Sequence, residues 1–218
     1  MSLLPELLEN NRRWAGKMEA ARPGFFSGLL QQQAPRYLWI GCADSRVPAN
    51  ELVDLDPGEL FVHRNVANVV VHSDLNCLSV IQFATDVIKV RHIIVVGHSQ
   101  CGGVRAALSG ARLGLVDNWL RHVSDVAQKH RDEISRQDSD DARLTRLCEL
   151  NAIEQAVNVC QTTIVQDAWQ RGQALSVHAW VYGLHDGRVR DLGLEMDANA
   201  ALDERYAHAL AQLGGSVP

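Results

Sequence analysis

The segment His92-Ile93-Ile94-Val95-Val96 leaves this chain few folds to choose from. Four consecutive β-branched apolar residues need burial on both faces, which places them in a parallel sheet covered by helices rather than at a solvated edge. Arg36 to Ile40, bounded by Pro35 and Gly41, is a second short run rich in aromatic and β-branched residues. Glu59 to His63, behind the turn signal Pro57-Gly58, is a third. Between the second and third of these strands in chain order, Leu75 to Val90 carries apolar residues at 77, 78, 80, 81, 84, 87 and 88, a helical stripe. Strands alternating with helices predict an α/β fold with a mostly parallel β-sheet flanked by helices.

The rest of the chain is read in the same way. Leu3 to about Arg22 and about Phe25 to Gln32 are two amphipathic helices split by Pro23-Gly24. They precede the first strand and have no core of their own to cover, so they either pack on their own domain or reach over a neighbouring subunit. Asn118 to His130 and Ala142 to Arg171 read as helices separated by the polar run Gln137 to Asp141. Ala174 to Leu184 and Arg188 to Leu192, around His185-Asp186-Gly187, read as a hairpin, and Asn199 to Leu213 as a last helix. With 218 residues, 46% of them hydrophobic, the chain suits one domain. Its parts are an N-terminal helical arm over 1–34, a core over 35–193 and a C-terminal helix over 194–218.

Charge and cysteine usage narrow the function classes. Twenty-one basic residues against 26 acidic ones give a net charge of -5, and no basic run is dense enough to predict a nucleic-acid partner. Glu6 and Glu9 stand where a signal peptide needs basic residues, and no apolar run nears the ~20 residues of a membrane span, so a cytoplasmic protein without a membrane partner is expected. Five cysteines in such a chain predict reduced thiols. Cys77, Cys148 and Cys160 lie in apolar helical patterns and read as buried, inert side chains.

Cys42 and Cys101 are different. Cys42 follows the first strand and His98-Ser99-Gln100-Cys101 follows the third, and ligands of open α/β sheets sit beyond such strand ends. Together Cys42, His98 and Cys101 offer zinc a Cys2His set with one position left for water or substrate. Gly97, Gly102 and Gly103 are expected to give the second loop its backbone freedom. Asp44 and Arg46, two residues apart in the first loop, can face one side and form a charge-assisted pair.

Three ordered motifs carry a family resemblance: Cys42-Ala43-Asp44-Ser45-Arg46, His63-Arg64-Asn65-Val66-Ala67-Asn68 and Gly97-His98-Ser99-Gln100-Cys101-Gly102-Gly103. Together they resemble the β-class carbonic anhydrases, and the match extends in weaker form from Trp14 to about Gly187. The resemblance implies reversible hydration of carbon dioxide to bicarbonate by zinc-bound hydroxide, in a homodimer or a tetramer built as a dimer of dimers, with the N-terminal helices extended over the partner. It assigns Cys42, His98 and Cys101 to zinc and Asp44 and Arg46 to the catalytic dyad. Two thiolates cancel most of the ion's charge, so Asp44 is expected to help by accepting the hydroxide's hydrogen, with Arg46 holding it ionised. If that pair breaks, Asp44 can take the fourth zinc position and close the site.

In part of the family a closed state is coupled to bicarbonate at a second site, and the residues of that site correspond to Trp39, Gly41, Val47, Arg64 and Tyr182. The resemblance therefore implies the bicarbonate-regulated subtype. It also places Gln33 near the substrate as a donor, and Phe61, Val66 and Phe83 around an apolar pocket. Phe83 stands where a Tyr is often found. Gly102 and Gly103 either present N–H groups to an anion or permit the turn. Three other functions remain to be distinguished: a carbon disulfide or carbonyl sulfide hydrolase with the same ligands, a zinc-containing bicarbonate or pH sensor, and a thiol redox protein. The redox reading is disfavoured by the lack of a Cys-x-x-Cys.

Overall fold

A computed structural model describes residues 3–31, 34–198 and 201–215. The chain divides into two compact units, Met1–Ala34 and Pro35–Pro218. The first holds α1 (Pro5–Ala21) and α2 (Phe25–Leu29), with Gly24 between them at φ 82. No residue of α1 is buried; Trp14 meets Phe26 edge-to-face at 5.7 Å.

The second unit is built on five strands: β1 (Tyr37–Cys42), β2 (Leu60–Asn65), β3 (His92–His98), β4 (Ser176–Tyr182) and β5 (Val189–Met196). Their order is β2-β1-β3-β4-β5; the first four are parallel and β5 returns antiparallel to β4. As the continuous apolar run requires, β3 is buried on both faces. Ile93 and Val95 enter the larger core with Leu38 and Ile40 of β1, and Ile94 and Val96 enter a smaller one with Trp39, Leu60 and Tyr182. Full burial of each such aliphatic side chain contributes about 1.5–3 kcal/mol.

The helices of this unit are α3 (Ala49–Leu52), α4 (Leu75–Gln82), α5 (Gly102–Ser109), α6 (Val116–Lys129), α7 (Arg131–Ser135), α8 (Asp140–Cys160), α9 (Thr163–Gln170) and α10 (Leu202–Gly215). The central helix, α8, packs on β3 and β4. It carries 14 buried residues, among them Glu149, Asn151, Glu154 and Gln155. Tyr206 of α10 and Lys129 and His130 at the end of α6 all bond Glu154, tying three helices at one carboxylate.

Two helical segments depart from the periodicity-based reading. Ala142 to Arg171 is not one helix, because Thr162 leaves helical geometry at φ -66 and ψ 142 and caps α9 through the Val165 N–H. Leu75 to Val90 changes at Phe83 into a π-type segment that ends at Lys89 with φ 65. Gln32 and Asn199 lie outside the described residues.

Candidate metal centre

Each half of the site is delivered by a strand end. Cys42 is the last residue of β1 and His98 the last of β3, and Gly41 pairs with Val96 across these two strands, so both loops open on the same edge. Cys101 follows three residues on, at the N-cap of α5. The expected role of the glycines needs correction here. Gln100, at φ 57, makes the left-handed turn, while none of Gly97, Gly102 and Gly103 has positive φ. Gly97 is needed for close approach instead: a Cβ there would meet the Cys148 carbonyl oxygen at 3.0 Å and Ala152 Cβ at 3.2 Å. Gly103 likewise lets α5 approach Val66 and Ala67, and Gly102 has open space around it.

The donor atoms of Cys42, His98 and Cys101 lie within 4.8 Å of one another, all three residues being buried. The two sulfurs are 3.9 Å apart. His98 Nδ1 meets the Ser99 carbonyl at 3.0 Å, and a carbonyl only accepts, so the proton belongs on Nδ1. Nε2 then holds a lone pair, and it is buried without a hydrogen-bond partner among the described residues. Such an orphan is costly unless a Lewis acid takes it. The donor set and this bare nitrogen fit zinc, with the carbonyl-bound Nδ1 fixing the tautomer as a ligand histidine requires. The Cys101 thiol bonds the Cys42 sulfur and, against the opposing effect of burial, draws Cys42 well below the usual thiol range, while Cys101 is pushed up. Zinc would remove the proton these sulfurs share.

A second group, His63, Asp74 and Cys77, also brings its donor atoms within 4.8 Å. Two of the three already serve the fold. Asp74 caps α4 through the Asn76 N–H, and His63 Nε2 bonds the Asn65 amide at 3.2 Å.

Asp44 lies at the open side of the first group. Its Oδ2 is 3.8 Å from His98 Nε2, and Arg46 grips the carboxylate with Nε on Oδ1 at 2.9 Å and Nη2 on Oδ2 at 2.7 Å. The Arg46 side-chain hydrogen bonds hold Asp44 well below the usual carboxylate range. Arg46 also reaches the Gln100 carbonyl at 3.4 Å, linking the two loops. Arg64 supports the pair from beneath, donating from Nε to the Cys42 carbonyl at 2.9 Å and from Nη2 to that of Asp44. This support was not legible in the sequence, where Arg64 stands out only through the resemblance. It depends on β1 and β2 pairing in register, Gly41 against Arg64.

The other residues singled out by the sequence fall in three places. Trp39, Val47 and Tyr182 share the smaller core, and the Trp39 indole packs against Gly41 so closely that a Cβ there would collide with its Nε1. Phe61 and Phe83 stack at 5.9 Å on the β2 side, with Val66 and Phe83 partly open to solvent. Gln33 lies outside the described residues.

Comparison with known proteins agrees with this geometry. Residues 37–189 match the carbonic anhydrase family profile. A carbonic anhydrase of Emericella nidulans is 46% identical over 190 residues, covering 87% of this chain and 83% of that protein. One of the tetrameric β-carbonic anhydrases of Sordaria macrospora superposes with a TM-score of 0.84 at 36% identity, over 88% of this chain and 98% of that one. A Coccomyxa β-carbonic anhydrase, solved with acetazolamide, gives a TM-score of 0.85 at 36% identity over 100% of both chains. An α/β zinc enzyme is thus defined by fold and site together, and this chain belongs to the β-class carbonic anhydrases.

Proposed function

We propose that the chain catalyses reversible hydration of carbon dioxide to bicarbonate and a proton, with zinc held by Cys42, His98 and Cys101. The observation that carries this reading is the buried, unpartnered His98 Nε2, grouped with two sulfurs and with the Asp44 carboxylate 3.8 Å away. When bound, zinc acidifies a water at the position its three protein ligands leave open and so supplies a nucleophile near neutral pH. Asp44 is ionised and therefore acceptor-only, so it takes a hydrogen bond from the attacking oxygen and leaves that oxygen's lone pair for carbon. Arg46 holds the carboxylate plane through its two bonds.

Phe61, Val66 and Phe83 supply apolar surface for carbon dioxide, and Gln33 a donor to it. Gly102 and Gly103, in the first turn of α5, offer N–H groups without intrahelical partners to bicarbonate. Asp44 is also the group that closes the site. Were Arg46 to let go, the same carboxylate, 3.8 Å from His98 Nε2, would be free to turn toward the metal that Cys42, His98 and Cys101 would hold and keep water out.

Bicarbonate at a second site, formed by Trp39, Gly41, Val47, Arg64 and Tyr182, favours that closed form. The support is Arg64, whose guanidinium bonds both the Cys42 and Asp44 carbonyls. An anion that recruits this guanidinium withdraws two hydrogen bonds from the loop that carries Asp44.

The working unit is a cytoplasmic homodimer or dimer of dimers, with 1–34 as an arm over the partner. Exposed Leu7, Leu8 and Trp14 on α1 suit such an arm, and among the described residues no helix is long and apolar enough to cross a membrane. Zinc content by mass spectrometry together with a hydration assay tests the reading. About one zinc per chain with rapid bicarbonate formation is expected; zinc-loaded protein that forms none would overturn it.

A further inference from the structure

The segment Val66–Val70 sits between Cys42 and α8, and side chains bond six of its ten backbone polar groups. Ala67 and Asn68 adopt left-handed φ values of 65 and 46, which costs non-glycine residues energy unless their surroundings enforce it. Trp119 Nε1 donates to the Val66 carbonyl at 2.8 Å and Asn151 Nδ2 to the Ala67 carbonyl at 2.9 Å. Gln155 Oε1 accepts the Val70 N–H at 2.8 Å, and Asn158 Nδ2 donates to the Val70 carbonyl at 3.0 Å. Asn65 takes both groups of Val69, at 2.8 and 2.7 Å.

Three of these amides lie at positions 151, 155 and 158, one face of α8, and bond one another. Gln155 Nε2 donates to Asn151 Oδ1 at 3.0 Å, and Asn158 Nδ2 to Gln155 Oε1 at 3.2 Å. Asn151 and Gln155 are fully buried, so each bond made here spares a desolvated polar group. What the ladder fixes on its far side is the metal centre. Asn65 pairs with Cys42 across β1 and β2 and its carbonyl accepts the Ala43 N–H at 2.7 Å, while Val66 and Ala67 pack so closely on Gly103, two residues past Cys101, that a Cβ there would meet them at 3.0 and 3.2 Å.

We infer that Asn151, Gln155 and Asn158 are positioning residues of the zinc site, holding Val66–Val70 in its left-handed turn so that Asn65 keeps Ala43, and with it the neighbouring Cys42, in place. They touch neither metal nor substrate and act through Val66–Val70. A ligand's supporting shell commonly governs metal affinity by about 10–100-fold. The inference rests on the reading that Cys42 binds zinc.

The test uses zinc-loaded Asn151→Ala, with Ile153→Val as a control that removes one buried methylene from the same helix. Zinc release to a chromogenic chelator is compared after matching the two variants in thermal stability, and the cobalt-substituted forms are compared by their sulfur-to-cobalt charge-transfer band. Zinc release about tenfold faster in Asn151→Ala, with a shifted band and neither change in Ile153→Val, is expected. Trp119→Phe removes only the Val66 bond at a more exposed position and provides the same comparison, with a smaller change in the same direction, should Asn151→Ala not fold. Equal release rates at matched stability, or an unshifted band, overturn the inference. Full zinc retention by Cys42→Ser would instead overturn the ligand assignment beneath it.

Discussion

Asp44 Oδ2 stands 3.8 Å from His98 Nε2, the nitrogen that the Ser99 carbonyl leaves without a proton. A carboxylate so near a bare imidazole nitrogen, yet bonded twice to Arg46, has two available partners. In the function proposed above, one arrangement keeps it beside the reacting oxygen and the other makes it a ligand, with the strength of the Arg46 grip deciding between them.

Asp44→Asn keeps the shape of the side chain and removes its charge. Zinc content is expected to stay near that of the parent while hydration falls by about 10²-fold or more, the scale of a lost proton-handling group. Full activity in the variant would refute the role given to Asp44.

Cys101→Ser replaces a thiolate with a poor zinc ligand at the N-cap of α5. Loss of bound zinc and a lower unfolding temperature are expected, because zinc adds binding energy to the folded state. Unchanged zinc content by mass spectrometry would remove Cys101 from the ligand set.

Burial pushes the thiols of Cys77, Cys148 and Cys160 up to about 12. At pH 8 they are neutral as well as inaccessible, and thiolate is the reactive form. The native holoprotein is therefore expected to react with an aromatic disulfide reagent only after unfolding or zinc removal. Rapid labelling of any of these three in the holoprotein would contradict their burial.

Burial alone would raise Glu154, but hydrogen bonds from His130, Lys129 and Tyr206 outweigh it and bring the carboxyl from 4.5 down to about 2. A carboxylate depressed on folding stabilises fully above its unfolded value and loses that contribution as pH falls through the folded one. Between about pH 5 and 2 the protein should lose about 3 kcal/mol from this group. Denaturant midpoints measured through that window should fall less steeply in Glu154→Gln; an identical slope would show that the carboxylate is not the acid-labile tie between α8 and α10.

Gly97→Ala would drive a methyl toward the Cys148 carbonyl at 3.0 Å, a backbone atom that cannot turn aside. Overpacking of this kind costs about 1–3 kcal/mol. Since Gly97 immediately precedes His98, zinc release should quicken alongside the loss of stability, both readable on one purified variant. Parent-like values for both would mean that α8 gives way.

The metal group was legible because each loop is short and directly follows an apolar strand, so residue type and chain position carried the geometry. The sheet followed for the same reason: Ile93 to Val96 cannot be solvated on either face. The break at Thr162 was missed because apolar residues continue in helical phase on both sides of it; Gln161-Thr162-Thr163, a polar step with a capping Thr, was the available signal. The ladder of Asn151, Gln155 and Asn158 left no such trace. Polar residues on a helix ordinarily mark its solvated face, and only the packing of α8 on β3 and β4 turns that face inward. Gln100 was passed over for a related reason, since the neighbouring glycines offered the easier account of a tight turn.

Stopped-flow carbon dioxide hydration on protein of known zinc content, followed from about pH 6.5 to 9 with and without added bicarbonate, tests the central claim most directly. The account predicts fast hydration at the alkaline end, collapse toward the acidic end, and inhibition by bicarbonate beyond product competition. Zinc-replete protein with no hydration at any pH would contradict it.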